Sequence, residues 1–473
     1  MTTTPGFSGG TGPQPGPLAD PLTDYPRPGS APGGFFGHPR GLSTLFFTEM
    51  WERFSYYGMR AFLILYMVHA LAFDDRHAGS VYGTYTASAW AAAIVGGIVA
   101  DRWLGQYKSV LVGGIIIALG HFTLAFHALP FFYTGLALIV VGTGLLKPNV
   151  SAIVGSLYDS NDVRRDAGFS IFYMGINLGA ALGPFIAGYL AQRVDWHLGF
   201  ACAGVGMTLG LIQYVAGRKH LRPAFERLDR QRAETRRSTL ARGAPTPLKP
   251  TEPTVLGFTK VEWKRLAAMG VFFVFAAIFW GAYEQAGSTL NLFGDRFTRT
   301  SILGVSFPSS WFLTVQAIFV IVLAPVFAWL WIRLKDHEPS TPAKFTIGLF
   351  FIGLSFLFLL IPAFRLQSSP GIKVSPFWLI GCYFIQELGE LSLSPVGLSV
   401  FTKLAPVRIV GFMLGVWFLA DSVGNKAAGF AAGFISSAPL PELFGVVAAV
   451  CLGASVVAFA IVKPVRRLMG GVR

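Results

Sequence analysis

The feature that most constrains this chain is a series of twelve apolar segments, each long enough to cross a bilayer as a helix. Six precede and six follow a hydrophilic stretch at 218–262 that carries eleven Lys and Arg residues and no apolar run of spanning length. Backbone polar groups find no partners in lipid, so segments of this length must satisfy them internally as helices. The segments lie at roughly 42–71, 80–100, 109–129, 131–151, 168–192, 197–217, 265–294, 304–333, 345–364, 376–404, 409–436 and 440–463.

The composition excludes an ordinary soluble protein, because 53% of the 473 residues are hydrophobic and only 13% are charged. The net charge of +14 could suggest nucleic acid as a partner, but the basic residues collect in loops between apolar segments. That arrangement follows the positive-inside rule. It predicts a multi-pass protein of the lipid bilayer with cytoplasmic N- and C-termini and no nucleic-acid partner.

The chain divides into four parts. Residues 1–40 are rich in Gly, Pro, Ser and Thr and lack a signal-peptide core, which predicts a disordered cytoplasmic tail. An N-terminal six-helix bundle is expected at 41–217, a flexible cytoplasmic linker at 218–262, and a C-terminal six-helix bundle with a short basic tail at 263–473. The three cysteines are scattered through apolar segments, which argues against a disulfide framework or a metal site.

The first apolar segment contains ionisable residues at helical spacing. Glu49 and Arg53 are four residues apart, Arg53 and Tyr57 are four apart, and Arg60 lies two turns beyond Arg53, so all four share one helix face. Glu52 adds a second carboxylate. Charges at membrane depth are costly and usually functional. The alternative is an ion-pair network that only joins two helices.

The pattern Glu-x-x-Glu-Arg-Phe-x-Tyr-Tyr-Gly at 49–58 resembles the first-helix signature of the proton-coupled oligopeptide transporters. This family (POT/PTR2, here of the bacterial type) is a branch of the major facilitator superfamily. Residues 97–105 resemble the loop 2–3 motif of that superfamily, and 172–179 and the stretch from Glu284 resemble the family's fifth- and seventh-helix patterns. The resemblance covers about 41–463. It implies an all-α membrane protein with the major facilitator fold, in which two six-helix bundles (12 transmembrane helices) contain inverted repeats.

The resemblance also assigns roles to individual residues. Protons would couple through Glu49 and Glu52, and an extracellular gate would join Arg60 to Glu284. The expected proton-coupling set is Glu49, Glu52, Arg53, Lys147 and Glu284. The expected substrate-binding set is Arg53, Tyr57, Lys147, Asn177, Gln316, Glu390, Ser394, Trp417 and Trp90.

Several of these residues have a plainer interpretation. Lys147 could extend its ammonium group to the membrane surface, Asn177 could join two helices, and Trp417 could belong to the core. Glu387, one turn before Glu390, could be an indirect contributor or an acid at the lipid interface.

Two positions depart from the family pattern. Trp90 stands where many relatives have a tyrosine, and Gln316 stands where an asparagine is typical. Gly83 occupies the place of the proton-sensing histidine of animal members, so coupling would depend on carboxylates.

A cavity for short peptides must bind a zwitterion at both ends and leave the side chains loosely held. Arg53, Lys147 and Tyr57 suit a carboxylate, whereas Glu390, Gln316 and Asn177 suit an amine. We therefore expect a proton-coupled symporter that imports di- and tripeptides by alternating access, as a monomer in the bacterial inner membrane. It would use no cofactor other than the coupling proton, no metal, and no enzyme chemistry.

Three alternatives stay open. A carrier of another solute such as nitrate, from the same family, would need the cations but not Glu390. An intramembrane hydrolase would need a nucleophile and base, or paired aspartates, within the spans, and no such pairing is visible. A receptor that binds without transporting would be separated from a carrier by vesicle uptake.

Overall fold

The computed structural model describes residues 34–159, 162, 164–241, 257–406 and 409–470, which are almost entirely helical. A short hairpin pairs Ser301–Ile302 (β1) with Val305–Ser306 (β2). The helices are α1 Arg40–His69, α2 Asp75–Val99, α3 Gln106–Leu124, α4 Leu129–Ser156, α5 Arg165–Arg193, α6 Trp196–Ala216, α7 Arg218–Ala241, α8 Lys260–Tyr283, α9 Thr289–Arg296, α10 Trp311–Leu334, α11 Thr341–Ser368, α12 Phe377–Leu404, α13 Val410–Ala432, α14 Leu440–Ala460 and α15 Val462–Leu468.

Local signals set several helix starts. The Asp74 carboxylate accepts the backbone N–H of His77 at the start of α2, and Asp195 does the same for His197 at the start of α6. At α8, Thr259 and Glu262 form a reciprocal capping box. Each cap supplies an acceptor to N–H groups that have no partner within the helix.

Twelve long helices form the two halves of the major facilitator fold, α1–α6 in one half and α8–α14 in the other, with α9 completing the span that α8 begins. Nine spans within the described residues are long and apolar enough to cross a membrane. Three of the twelve spans, α1, α12 and α13, fall short, and they carry the buried acids Glu49, Glu390 and Asp421 among others. The predicted fold class is confirmed.

The structure differs from the sequence prediction at both ends of the first half. Residues 34–39 of the predicted tail are ordered, and His38 Nδ1 lies 3.0 Å from the Tyr158 hydroxyl in a buried hydrogen bond. The predicted flexible linker begins as helix α7, since Leu221 and Ala224 are fully buried. The rest of the predicted tail and the linker segment 242–256 lie outside the described residues.

The seventh and eighth spans also differ. The predicted continuous segment at 265–294 is interrupted by a tighter turn at Glu284–Gly287, between α8 and α9. The predicted start of the next span at 304 falls in the β1–β2 hairpin, and α10 begins at Trp311. Both irregular segments adjoin apolar runs, and hydropathy averaged over a whole span does not resolve turns this short.

The two halves meet on the side where α1 ends, which we call the opposite face; the side where α1 begins is the amino-terminal face. Arg296 forms two hydrogen bonds to the Asp75 carboxylate, at 2.8 and 2.6 Å, across the halves. Asn291 donates to the Ala61 carbonyl at 2.7 Å, and Thr314 donates to the Ala181 carbonyl at 3.0 Å. The opposite face is therefore closed in this conformation.

Candidate functional site

Arg53 lies between the two carboxylates of α1. Its Nε is 3.3 Å from Glu49 Oε1 and forms an ion pair and short hydrogen bond with Glu52. All three side chains are buried, and within the described part of the chain Glu49 Oε2, Glu52 Oε1 and Arg53 Nη2 have no hydrogen-bond partner. Glu49, Glu52 and Arg53 thus form a compact cluster of two acids and one base, with one carboxylate more than the single cation can neutralise.

The tyrosines of α1 surround that cluster. The Arg53 guanidinium lies 5.2 Å from the ring centre of Tyr56 and 5.8 Å from that of Tyr57. The Arg60 guanidinium also lies 5.8 Å from the ring centre of Tyr57. The predicted phenol is therefore close to two positive charges.

Lys147 is near, but not paired with, the acidic residues of α1. Its Nζ lies over the indole ring of Trp90, 2.8 Å from the ring centre, and among the described residues it forms no ion pair. Trp90 in turn stacks on Phe418 of α13 at 5.8 Å between ring centres. Trp90 thus holds Lys147 by a cation–π contact and joins the halves, a role that a smaller tyrosine ring would fill less completely.

The predicted gate pair is formed. Arg60 and Glu284 make a short ion pair between α1 and the turn after α8, and both side chains are buried. Arg60 Nε also donates to the Tyr82 hydroxyl at 2.6 Å. A Cβ added at Gly287 would lie 1.9 Å from that hydroxyl oxygen and 2.9 Å from Arg60 Nε, so only glycine allows this close approach.

The second half supplies a pair of acids on α12. Glu387 is fully buried and its Oε1 accepts a hydrogen bond from the Tyr283 hydroxyl at 2.9 Å. The Gln316 side chain lies beside the same carboxylate. The Ser394 side chain lies beside Glu390, one turn after Glu387. Both acids are buried, so Glu387 does not face lipid.

A cavity lies between the halves, and the Arg60–Glu284 pair forms part of its lining. Five of the predicted residues line it: Tyr57, Arg60, Asn177, Glu284 and Gln316. Tyr283, Leu313 and Val320 also line this cavity. The cavity therefore has a cation, a phenol and an amide from the first half, and an acid and an amide from the second half.

Other residues predicted to bind substrate or to couple protons do not line this cavity. They include Arg53, Lys147, Trp90, Glu390 and Ser394. Asn177 lines the cavity while its amide donates to the Tyr173 carbonyl at 3.0 Å, within its own helix.

Trp417 does not line the cavity in this conformation, contrary to the prediction. It is 5% exposed and packs on Phe401 and Phe345, with ring centres 5.3 and 6.4 Å apart. A Cβ on Gly397 would lie 2.0 Å from the Trp417 ring, so the missing side chain there makes room for the indole. This tryptophan is part of the packing of the second half.

Sequence reasoning missed Tyr82, which bonds to the gate arginine, and Tyr283, which bonds to the α12 acid. Both stand in apolar segments, and neither belongs to a motif quoted above, although Tyr283 directly precedes the Glu284 pattern. The only signal was the rule that a buried charge needs a polar neighbour, and that rule does not say which tyrosine provides it.

The arrangement suits binding of a small molecule with both signs of charge. It has buried cations on α1, buried acids on α12, and the Arg60–Glu284 ion pair between the two halves. Within the described residues no group of three or more His, Cys, Asp or Glu is arranged to hold a metal ion.

Comparison with known proteins agrees with this geometry. A model of the POT family matches residues 107–228 and 258–450. The chain is 40% identical to the uncharacterized transporter YclF of Bacillus subtilis (strain 168), over 93% of this chain and 96% of that protein. It is 36% identical to a di-/tripeptide transporter of Lactococcus lactis subsp. cremoris, over 93% and 98%.

A solved structure gives the same result in three dimensions. The crystal structure of a peptide transporter POT in complex with sulfate is 38% identical, covers 93% of this chain and 97% of its own, and superposes with a TM-score of 0.82. With the family model, full-length relatives and this superposition in agreement, the chain belongs to the POT family of membrane transporters.

Proposed function

We propose that the protein imports di- and tripeptides together with protons by alternating access. The observation that carries the proposal is the placement of buried charges of opposite sign on the two halves. Arg53 and Arg60 belong to the first half, and Glu387 and Glu390 to the second. A molecule bound to both sets of charges would connect the halves, which favours closure around it.

A short peptide has the matching chemistry, because a carboxylate and an ammonium group lie at its two ends. The carboxylate would bind Arg53 and the Tyr57 hydroxyl, with Lys147 close by over Trp90. The ammonium group would bind Glu390, with the amides of Gln316 and Asn177 beside it. The name of the Lactococcus relative, a di-/tripeptide transporter, supports the same substrate class.

Protons would couple through the acidic pair of α1. One guanidinium cannot neutralise two carboxylates, so the first proton binds more readily than it would to an isolated acid. Protonation would release Arg53 from that pair and leave it available to the substrate carboxylate. Glu284 would act similarly at the gate, where a proton would weaken its bond to Arg60.

The topology completes the proposal. We assign the amino-terminal face to the cytoplasm of a bacterial inner membrane, because the basic helix α7 and the basic α15 lie on that face. The closed opposite face is then extracellular. The carrier would act as a monomer, since one chain contributes both charge sets.

A carrier of an anion such as nitrate, from the same family, would use the arginines but would gain nothing from buried acids. Uptake of a labelled dipeptide into proteoliposomes under an inward proton gradient tests the proposal. We expect accumulation that a protonophore abolishes. Glu390→Gln should lose peptide binding, since the ammonium group loses its charged partner.

The matched control is Glu442→Gln, which removes an exposed acid at the start of α14. Transport by that variant should equal the wild type. Nitrate uptake without dipeptide uptake, or full peptide affinity in Glu390→Gln, would reject the proposal.

A further inference from the structure

The two acids of α12 differ from the two acids of α1 in having no cation. Glu387 is 0% exposed and Glu390 is 6% exposed, and among the described residues Oε2 of each has no hydrogen-bond partner. In the described part of the chain, neither forms an ion pair, whereas both acids of α1 contact Arg53. The α12 acids must therefore be stabilised in their buried position by something other than a cation.

Polar or titratable groups lie near Glu387 on three other helices. From α8, the Tyr283 hydroxyl donates to its Oε1 at 2.9 Å. From α10, the Gln316 amide lies beside it, and from α5 the Tyr173 phenol lies near both acids. On α12 itself the neighbour is Glu390, which is negative when ionised.

These surroundings can hold a neutral acid but not two anions. A carboxylate removed from water without a cation tends to become neutral by binding a proton, and two carboxyl groups that share a site do not both ionise readily. The single phenol bond satisfies one oxygen of Glu387 and leaves the other without an acceptor or donor. A proton on the pair removes the excess charge.

We propose that the α12 acids bind one proton in the empty carrier, on Glu387, and that the ammonium group of the substrate displaces it. The inference rests on the proposed function, because it needs a substrate with an ammonium group. The exchange balances in charge: the pair begins with one proton and one negative charge. The bound ammonium group adds one positive charge while the proton leaves to water in the cavity.

Tyr283 connects the pair to the cavity. Its ring lines the cavity wall and its hydroxyl bonds to Glu387, so one residue touches both the space where the substrate binds and the acid. The phenol bond also strengthens when Glu387 ionises, because a hydrogen bond to a charged acceptor is the stronger kind. Tyr283 therefore favours release of the proton once a cation has arrived.

The experiment measures protons exchanged on binding. Purified full-length protein is titrated with Ala-Ala by calorimetry in buffers of different ionisation enthalpy, and the slope gives the proton number. We expect the wild type to release about one proton more per bound peptide than Glu387→Gln, since an amide cannot titrate. Glu442→Gln should match the wild type.

N-acetyl-Ala-Ala, which lacks the ammonium group, should displace no proton in either protein. Equal proton numbers for Ala-Ala in the wild type and Glu387→Gln would overturn the inference. Absence of any Ala-Ala binding to the folded wild type would instead reject the proposed function, so the two failures are distinguishable.

Tyr283→Phe provides a test that keeps both acids. Without the phenol bond the anion is less stabilised, so the proton release measured against pH should shift to higher pH while its maximum is retained. A profile that coincides with the wild type would also overturn the inference, and this variant serves if Glu387→Gln does not fold.

Discussion

Neutralising Glu284 tests the gate. Glu284→Gln leaves Arg60 buried, with the Tyr82 hydroxyl at 2.6 Å as its remaining strong partner. Removing one partner of a buried ion pair costs about 3–5 kcal/mol, because the other charge stays desolvated. When the opposite face opens, water reaches Arg60, so this cost falls mainly on the closed conformation.

The ratio of open to closed molecules should therefore rise by about two orders of magnitude or more, at roughly 1.4 kcal/mol for each factor of ten. Ser310→Cys reports this ratio, because Ser310 is fully buried where α5 and α10 meet and its backbone N–H bonds to Gln192 at 2.9 Å across the halves. With the three native cysteines replaced by alanine, the rate of reaction with a water-soluble thiol reagent measures how often this contact opens.

Glu226→Gln is the matched control. It removes the same charge from the exposed Arg222–Glu226 pair of α7, whose loss costs about 1 kcal/mol at most. Its labelling rate should equal that of the Ser310→Cys parent. An unchanged rate in Glu284→Gln would refute the reasoning, because it would mean that this ion pair does not hold the opposite face closed.

Three further predictions follow from other sites. Glu49→Gln should abolish uphill peptide uptake driven by a pH gradient yet retain counterflow exchange, because an amide cannot titrate; equal loss of both would indicate a structural ion pair instead. Gly287→Ala should lower the unfolding temperature, since its Cβ would clash with Tyr82, whereas Gly270→Ala, with nothing within 4 Å of the added atom, should not. Burial, aided by a nearby arginine, lowers the pKa of His38 from its ordinary value of 6.5. The wild type should therefore lose stability as pH falls below about 6.5, where the unfolded histidine binds a proton that the folded one resists, and His38→Gln should flatten that dependence in thermal unfolding.

Much of the architecture could be predicted because membrane spans obey a simple rule. Lipid demands about twenty apolar residues per helix, and basic loops mark one side, so most of the spans followed from hydropathy. The same rule exposed Glu49 and Arg53, since charged residues stand out in an apolar segment. The break at Glu284–Gly287 escaped it, because hydropathy averaged over a span does not resolve a four-residue turn.

Helical spacing determined which charges share a face, as with Glu49 and Arg53 on α1 and Glu387 and Glu390 on α12. It could not determine their partners on other helices. Glu387 bonds to a tyrosine 104 positions earlier in the chain, and Lys147 lies over Trp90 rather than beside an acid. Partner choice depends on how closely helices approach, and here glycines such as Gly79 and Gly429 bring α2 and α13 together. The sequence by itself thus determined the spans and the charges that must be compensated, whereas only packing between distant helices decided which group compensates each one.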